Sequence, residues 1–76
     1  MSSTGSWFLK ALRDGVESVE GVQLGTDKKI TVTFKTDQAP IADLLEVMGR
    51  LEDIGYIDKS IFISEVGKPT AEFVPN

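Results

Sequence analysis

Lys29 to Thr36 (KITVTFKT) alternates polar and apolar residues without a break. Ile30, Val32 and Phe34 share one face of a strand, and Lys29, Thr31, Thr33 and Lys35 share the other. One face is therefore buried and the other wet, as in an antiparallel sheet covered on a single side. Further along, Ile41, Leu44, Leu45, Val47, Met48, Leu51 and Ile54 recur at helical spacing and form a broad apolar stripe. A one-sided strand and a one-sided helix are the two halves of a two-layer α+β sandwich.

The remaining segments fill in the order. Met1 to Gly5 is small and polar and reads as a disordered end, leaving 6–76 as a single domain. Ser6 is a candidate N-cap for a helix carrying Trp7, Phe8, Ala11 and Leu12. Asp14-Gly15 reads as its stop; the alternative continues the helix to Val19 across Gly15. Val16 to Leu24 reads as a strand. Val19 and Val22 have opposite parity there, so a bulge at Gly21 is needed to bring both inward. Gly25 to Lys28 is a turn. Thr36 to Pro40 is a loop, with Pro40 in the first turn of the second helix and Gly55 after its end. Ser60 to Val66 reads as a third strand, Gly67-Lys68-Pro69 as a turn, and Thr70 to Val74 as a short last strand.

Several stretches together resemble the heavy-metal-associated domains of copper chaperones and metal ATPases. They are Gly15-Val16-Glu17-Ser18-Val19-Glu20, the run Lys28 to Phe34, Ala42-Asp43-Leu44-Leu45-Glu46, and Gly55-Tyr56. The resemblance spans roughly residues 9 to 63 and implies a ferredoxin-like fold, βαββαβ. Where that family carries its Cys-x-x-Cys metal motif, this chain has Thr4-Gly5-Ser6-Trp7. No metal and no cofactor are carried over. The family's first, central strand also has no counterpart, because the N-terminal residues are Ser, Thr and Gly. A sheet lacking it holds a slot of unpaired backbone groups. Residues 70–74 reach that slot through a hairpin. The expected fold is thus a circularly permuted ferredoxin-like sandwich, αββαββ, with two helices on one face of a four-stranded, mostly antiparallel sheet. The last strand is expected to lie antiparallel to the third and parallel to the second. The alternative is a three-stranded sheet with a loose tail.

Composition narrows the chemistry. The chain contains neither His nor Cys, which supply most nucleophiles, neutral-pH bases and transition-metal ligands. Catalysis is not expected. Paired carboxylates such as Asp43/Glu46 and Glu52/Asp53 would need a cleft to become catalytic, and 76 residues offer little. No apolar run exceeds three residues, so no membrane span is expected. The N-terminus lacks the basic and apolar parts of a signal peptide. The absence of disulfides fits a cytoplasmic protein.

The net charge of −4 argues against direct binding to nucleic acid. Between Asp37 and Asp58 six acids accompany the single base Arg50, so this segment holds more than the whole net charge. Asp43, Glu46, Arg50 and Asp53 fall on one side of the second helix with Gly49 beside them. This stripe is a candidate surface for a basic, nucleic-acid-binding protein partner. The simpler alternative is a solvated face laced by the Glu46–Arg50 pair. The open face of the sheet offers a second candidate set: Thr33, Lys35, Phe62 and Ser64. Phe62 cannot point inward if Ile61 and Ile63 do, and an exposed ring there suits a homodimer made sheet to sheet.

These readings converge on a non-enzymatic regulatory module that binds protein and forms a homodimer. In its sharpest form it is a small acidic inhibitor, imitating DNA as phage-type host regulators do. The alternatives are a small-ligand sensor similar to ACT domains, with a ligand near Gly15 to Glu20, and a single-strand nucleic-acid binder using Phe62 and Lys35. The latter would stack bases as RRM domains do.

Overall fold

The computed structural model describes residues 4–35 and 41–76. Helix α1 (Thr4–Gly15) leads through a turn into β1 (Val19–Leu24), which pairs with β2 (Ile30–Phe34). Helix α2 (Ile41–Glu52) then precedes β3 (Tyr56–Ile63) and β4 (Pro69–Pro75). The sheet runs in the order β1-β2-β4-β3, so the last strand sits inside it. The order αββαββ and the placement of β4 are those the permutation requires.

One direction differs from expectation. β4 is antiparallel to both neighbours, not parallel to β2. The helical crossover from β2 to β3 makes those two strands run the same way. A hairpin out of β3 must then oppose both. The whole sheet is antiparallel.

Val32, Phe34, Ala71 and Phe73 are buried at the centre, with Leu12 from α1, Val16 from the turn after it, and Val47 and Leu51 from α2 over them. Ile30 faces Phe73 and Val32 faces Ala71 across the β2–β4 ladder. Only one face of the sheet carries this core. Strand β2 alternates buried and half-buried residues along its whole length. On β1 the register shifts between Val19 and Gly21, which leaves Glu20 as the extra residue. The bulge lets Val19 and the half-buried Val22 both reach the core.

The element boundaries shift in places. α1 begins at Thr4, so Thr4 and Gly5 belong to the helix and Ser6 lies inside its first turn. β1 begins at Val19 because the Val19 amide donates to the Val16 carbonyl, closing a turn after Gly15. β3 spans 56–63 instead of 60–66. Gly55, at φ 89°, ends α2 in the left-handed conformation and turns the chain straight into the strand. Its carbonyl accepts from the Asn76 amide, and Tyr56 already faces Pro75. At the other end the Ser64 amide donates to the Lys68 carbonyl, with Gly67 at φ 82°. Val66 therefore sits at the hairpin tip and not in a strand. In the β1–β2 turn the left-handed residue is Lys28, at φ 62°. The loop and N1 positions expected at 36–40 lie outside the described residues.

Two consequences follow from this register. Phe73 lies on an interior strand, 1% exposed. Phe73→Ala should cost about 3–5 kcal/mol, much of the stability of a small domain; urea unfolding of the purified variant measures it. Lys28→Gly removes the strain of a left-handed β-carbon and should stabilise by about 1 kcal/mol, read from the same titration.

Candidate interaction surfaces

The acidic side of α2 is brought together as its spacing implies, but most of its charge is already engaged. Asp43 accepts a hydrogen bond from the Ser18 hydroxyl at 2.5 Å. Arg50 Nε lies 2.7 Å from Glu46 Oε2. The same guanidinium rests over Gly15, where a β-carbon would stand 2.7 Å from its Nη1. Asp43 and Arg50 thus bind α2 to the connection between α1 and β1. Exposed pairs such as Glu46–Arg50 add little stability, typically about 0.3–0.5 kcal/mol. Asp53 lies just past the helix end and is exposed, as is Glu52. Gly49 is exposed, and a β-carbon there would meet nothing within 4 Å.

The open sheet face does not gather its four predicted residues. Thr33, Thr70 and Phe62 form one row across β2, β4 and β3. Thr70 is buried in that row and donates to the Lys68 carbonyl. Phe62 is 42% exposed, as its outward parity requires. Ser64 is absorbed by the hairpin: its hydroxyl accepts from the Lys68 amide. Lys35 lies past the end of β2, and its amide donates to the Ser18 carbonyl at the β1 edge, away from Phe62. At the centre of the face Lys29 pairs with Glu72 at 3.3 Å. A basic platform beside an aromatic ring is not what this face presents.

The largest departures are apolar. Ile61 and Ile63 share the core side of the sheet, since Ile61 faces Ala71 and Ile63 faces Pro69. They are nonetheless exposed, at 52% and 61%. β3 is an edge strand, and α2, which packs toward it, leaves its Ile61–Ile63 end uncovered. The α2 stripe is likewise only partly used. Val47 and Leu51 are buried and Leu44 and Met48 half-buried, while Ile41, Leu45 and Ile54 are exposed. The sequence signal for this surplus was the apolar residues at both parities of Tyr56 to Ile63, which a sheet covered on one side cannot bury.

Two hollows border these elements. One, of about 230 Å³, is lined by Trp7 and Phe8 of α1, Leu24 and Ile30 of the β1–β2 hairpin, Ile54 after α2, and Tyr56 of β3. Phe8 packs against the core, whereas Trp7 is 69% exposed at the rim. The other, of about 590 Å³, is polar and open, between Arg13, Asp14, Gly15, Glu17, Glu20 and Lys35. Among the described residues no three carboxylates cluster in a metal-holding arrangement, and no helix is long and apolar enough to cross a membrane. Comparison with protein-family models, curated proteins and solved structures finds no match to this chain.

Gly49 lies inside α2 with open space around it, so a methyl group adds helix propensity without a clash. Gly49→Ala should stabilise the domain by about 1 kcal/mol, measurable as a raised urea midpoint with an unchanged slope.

Proposed function

We propose that this chain is a non-enzymatic protein-interaction module that regulates a partner protein. The observation that carries this reading is the pocket at the α1 end of the sheet. Its walls are apolar or aromatic, and Trp7 stands exposed at its mouth. A large aromatic beside a preformed apolar hollow is the usual composition of an interface anchor. A partner would insert an apolar side chain among Phe8, Leu24 and Tyr56 and pack a second against the Trp7 ring. The DNA-imitating form of this reading draws on the acidic segment 37–58. It has less to work with, because Asp43 and Glu46 already have partners; among the described residues Glu52, Asp53 and Asp58 stand clear of them.

The two forms separate by mutation. Bait protein immobilised in a lysate of its source cells should capture a stoichiometric partner. Trp7→Ser should abolish capture, and Glu46→Lys with Asp53→Lys should leave it intact. Loss with the double charge reversal and retention with Trp7→Ser would establish the acidic form instead.

A second reading has one observation in its favour. The polar hollow lies at Gly15 to Glu20, where an ACT-like sensor would hold its ligand, and its lining includes Arg13, Lys35 and Glu17, with Glu20 paired to Lys68. Both signs of charge suit an amino-acid zwitterion. A melting temperature raised by a free amino acid, and not by sodium chloride at equal ionic strength, would support that reading.

A further inference from the structure

A third hollow, of about 240 Å³, lies between α1 and β1 and is lined by Leu9, Lys10, Arg13 and Val22. Leu9 also lines the apolar hollow at Trp7, so the two adjoin at that side chain. The β1 bulge accounts for the continuity. Beyond it Val22 and Leu24 share the core side of the strand, since they face Val32 and Ile30 of β2. Two residues of extended strand set them roughly 7 Å apart. Val22 lines one hollow and Leu24 the other, with Leu9 of α1 bordering both.

The two halves are chemically unlike. No charged side chain lines the hollow at Trp7, and its polar side-chain atoms are those of Trp7 and Tyr56. The other half carries Lys10 and Arg13, exposed and three residues apart on α1, so they are neighbours on the helix surface. Among the described residues no carboxylate lines either hollow. Arg13 Nε lies 3.6 Å from Asp14, an exposed pair that holds the guanidinium weakly. Lys10 forms no ion pair among the described residues. An apolar trough therefore ends at two cations.

We propose that the joined hollows bind an amphipathic monocarboxylate, with its apolar body beside Trp7 and its carboxylate between Lys10 and Arg13. Charge selects the head. Two cations with no acid in the lining favour an anion, and the guanidinium fork of an arginine matches the two oxygens of a carboxylate. Volume selects the body. A dry apolar cavity of about 150 Å³ takes benzene, so one of about 230 Å³ takes roughly eight carbons. The aromatic walls at Phe8 and Tyr56 give that body dispersion contacts and no competing charge. A molecule seated there fills the space that a partner's apolar side chain needs, so the ligand excludes the partner. That regulation rests on the docking proposed above; the binding itself does not.

Trp7 is the single tryptophan of the chain, so its emission reports occupancy directly. Sodium octanoate is the probe. Titrated into the purified chain at low salt, it should shift the emission to the blue with half-saturation at about 0.1–1 mM. Uncharged 1-octanol should need about tenfold more, and so should octanoate with Lys10→Gln and Arg13→Gln combined. Leu24→Lys and Ile54→Lys, at positions about half exposed, should each abolish the shift with unchanged circular dichroism. No saturation by about 10 mM octanoate overturns the proposal. Octanol binding as tightly as octanoate, or a double glutamine variant that binds like wild type, overturns the carboxylate seat. A shift retained by both lysine variants overturns the hollow as the site. Saturating octanoate should also block capture of the partner. Capture that persists overturns the regulation alone. A lysate that yields no partner overturns the docking reading and the regulation, and leaves the titration standing.

Discussion

β4 lies between β2 and β3, and the rest of the fold depends on that insertion. Remove it and the sheet splits into a two-stranded hairpin and a lone strand, with unpaired backbone on both sides of the gap. The insertion also completes the core. Ala71 and Phe73 supply the middle of the buried row, against Val32 and Ile30 on one side and facing Ile61 and Asp58 on the other. The segment closing the sheet is thus the last of its four strands in chain order. Its pairing with β2 spans some forty residues of sequence, which makes that contact costly to form early in folding.

A sheet covered on one side by two short helices has a limited roof. α1 packs over β1, and α2 packs toward β3. Ser18–Asp43 and the seat of Arg50 over Gly15 draw α2 toward α1. That closeness seals the centre at Val47 and Leu51 and leaves the outer flank without cover. The exposure of Ile61 and Ile63 and the exposure of Ile41 and Leu45 have the same geometric cause. A chain of 76 residues that leaves so much apolar surface open gains stability by closing it with another protein surface.

The central pattern was legible because it is local and periodic. Strict alternation placed β2, opposite valine parity placed the β1 bulge, and Gly15 and Gly55 marked the helix ends. β4 was legible by a different route: the sheet order demanded a strand, and only residues 70–74 remained to supply one. The bounds of β3 were not legible. Ile57, Ile61, Phe62 and Ile63 lie on both parities, so periodicity gives no phase. The phase is set by the turn at Gly55, which starts pairing at Tyr56. The engagement of the acidic side of α2 was invisible in the sequence, since Ser18 and Asp43 meet across 25 residues with no sequence signal. Lys35 and Phe62 were placed on one face by parity alone, and parity says nothing of how far apart on that face two side chains stand.

The apolar surplus falls into two places that do not overlap. One collects at the Tyr56 end of β3, around Trp7, and the other at the Ile63 end, beside Ile41 and Leu45. The eight residues of β3 separate them by roughly 25 Å at the rise of an extended strand. The same separation explains why the acidic residues can remain peripheral. They line the α1-facing side of α2, between the two apolar places, where net negative charge keeps a surface rich in exposed isoleucine from associating without specificity.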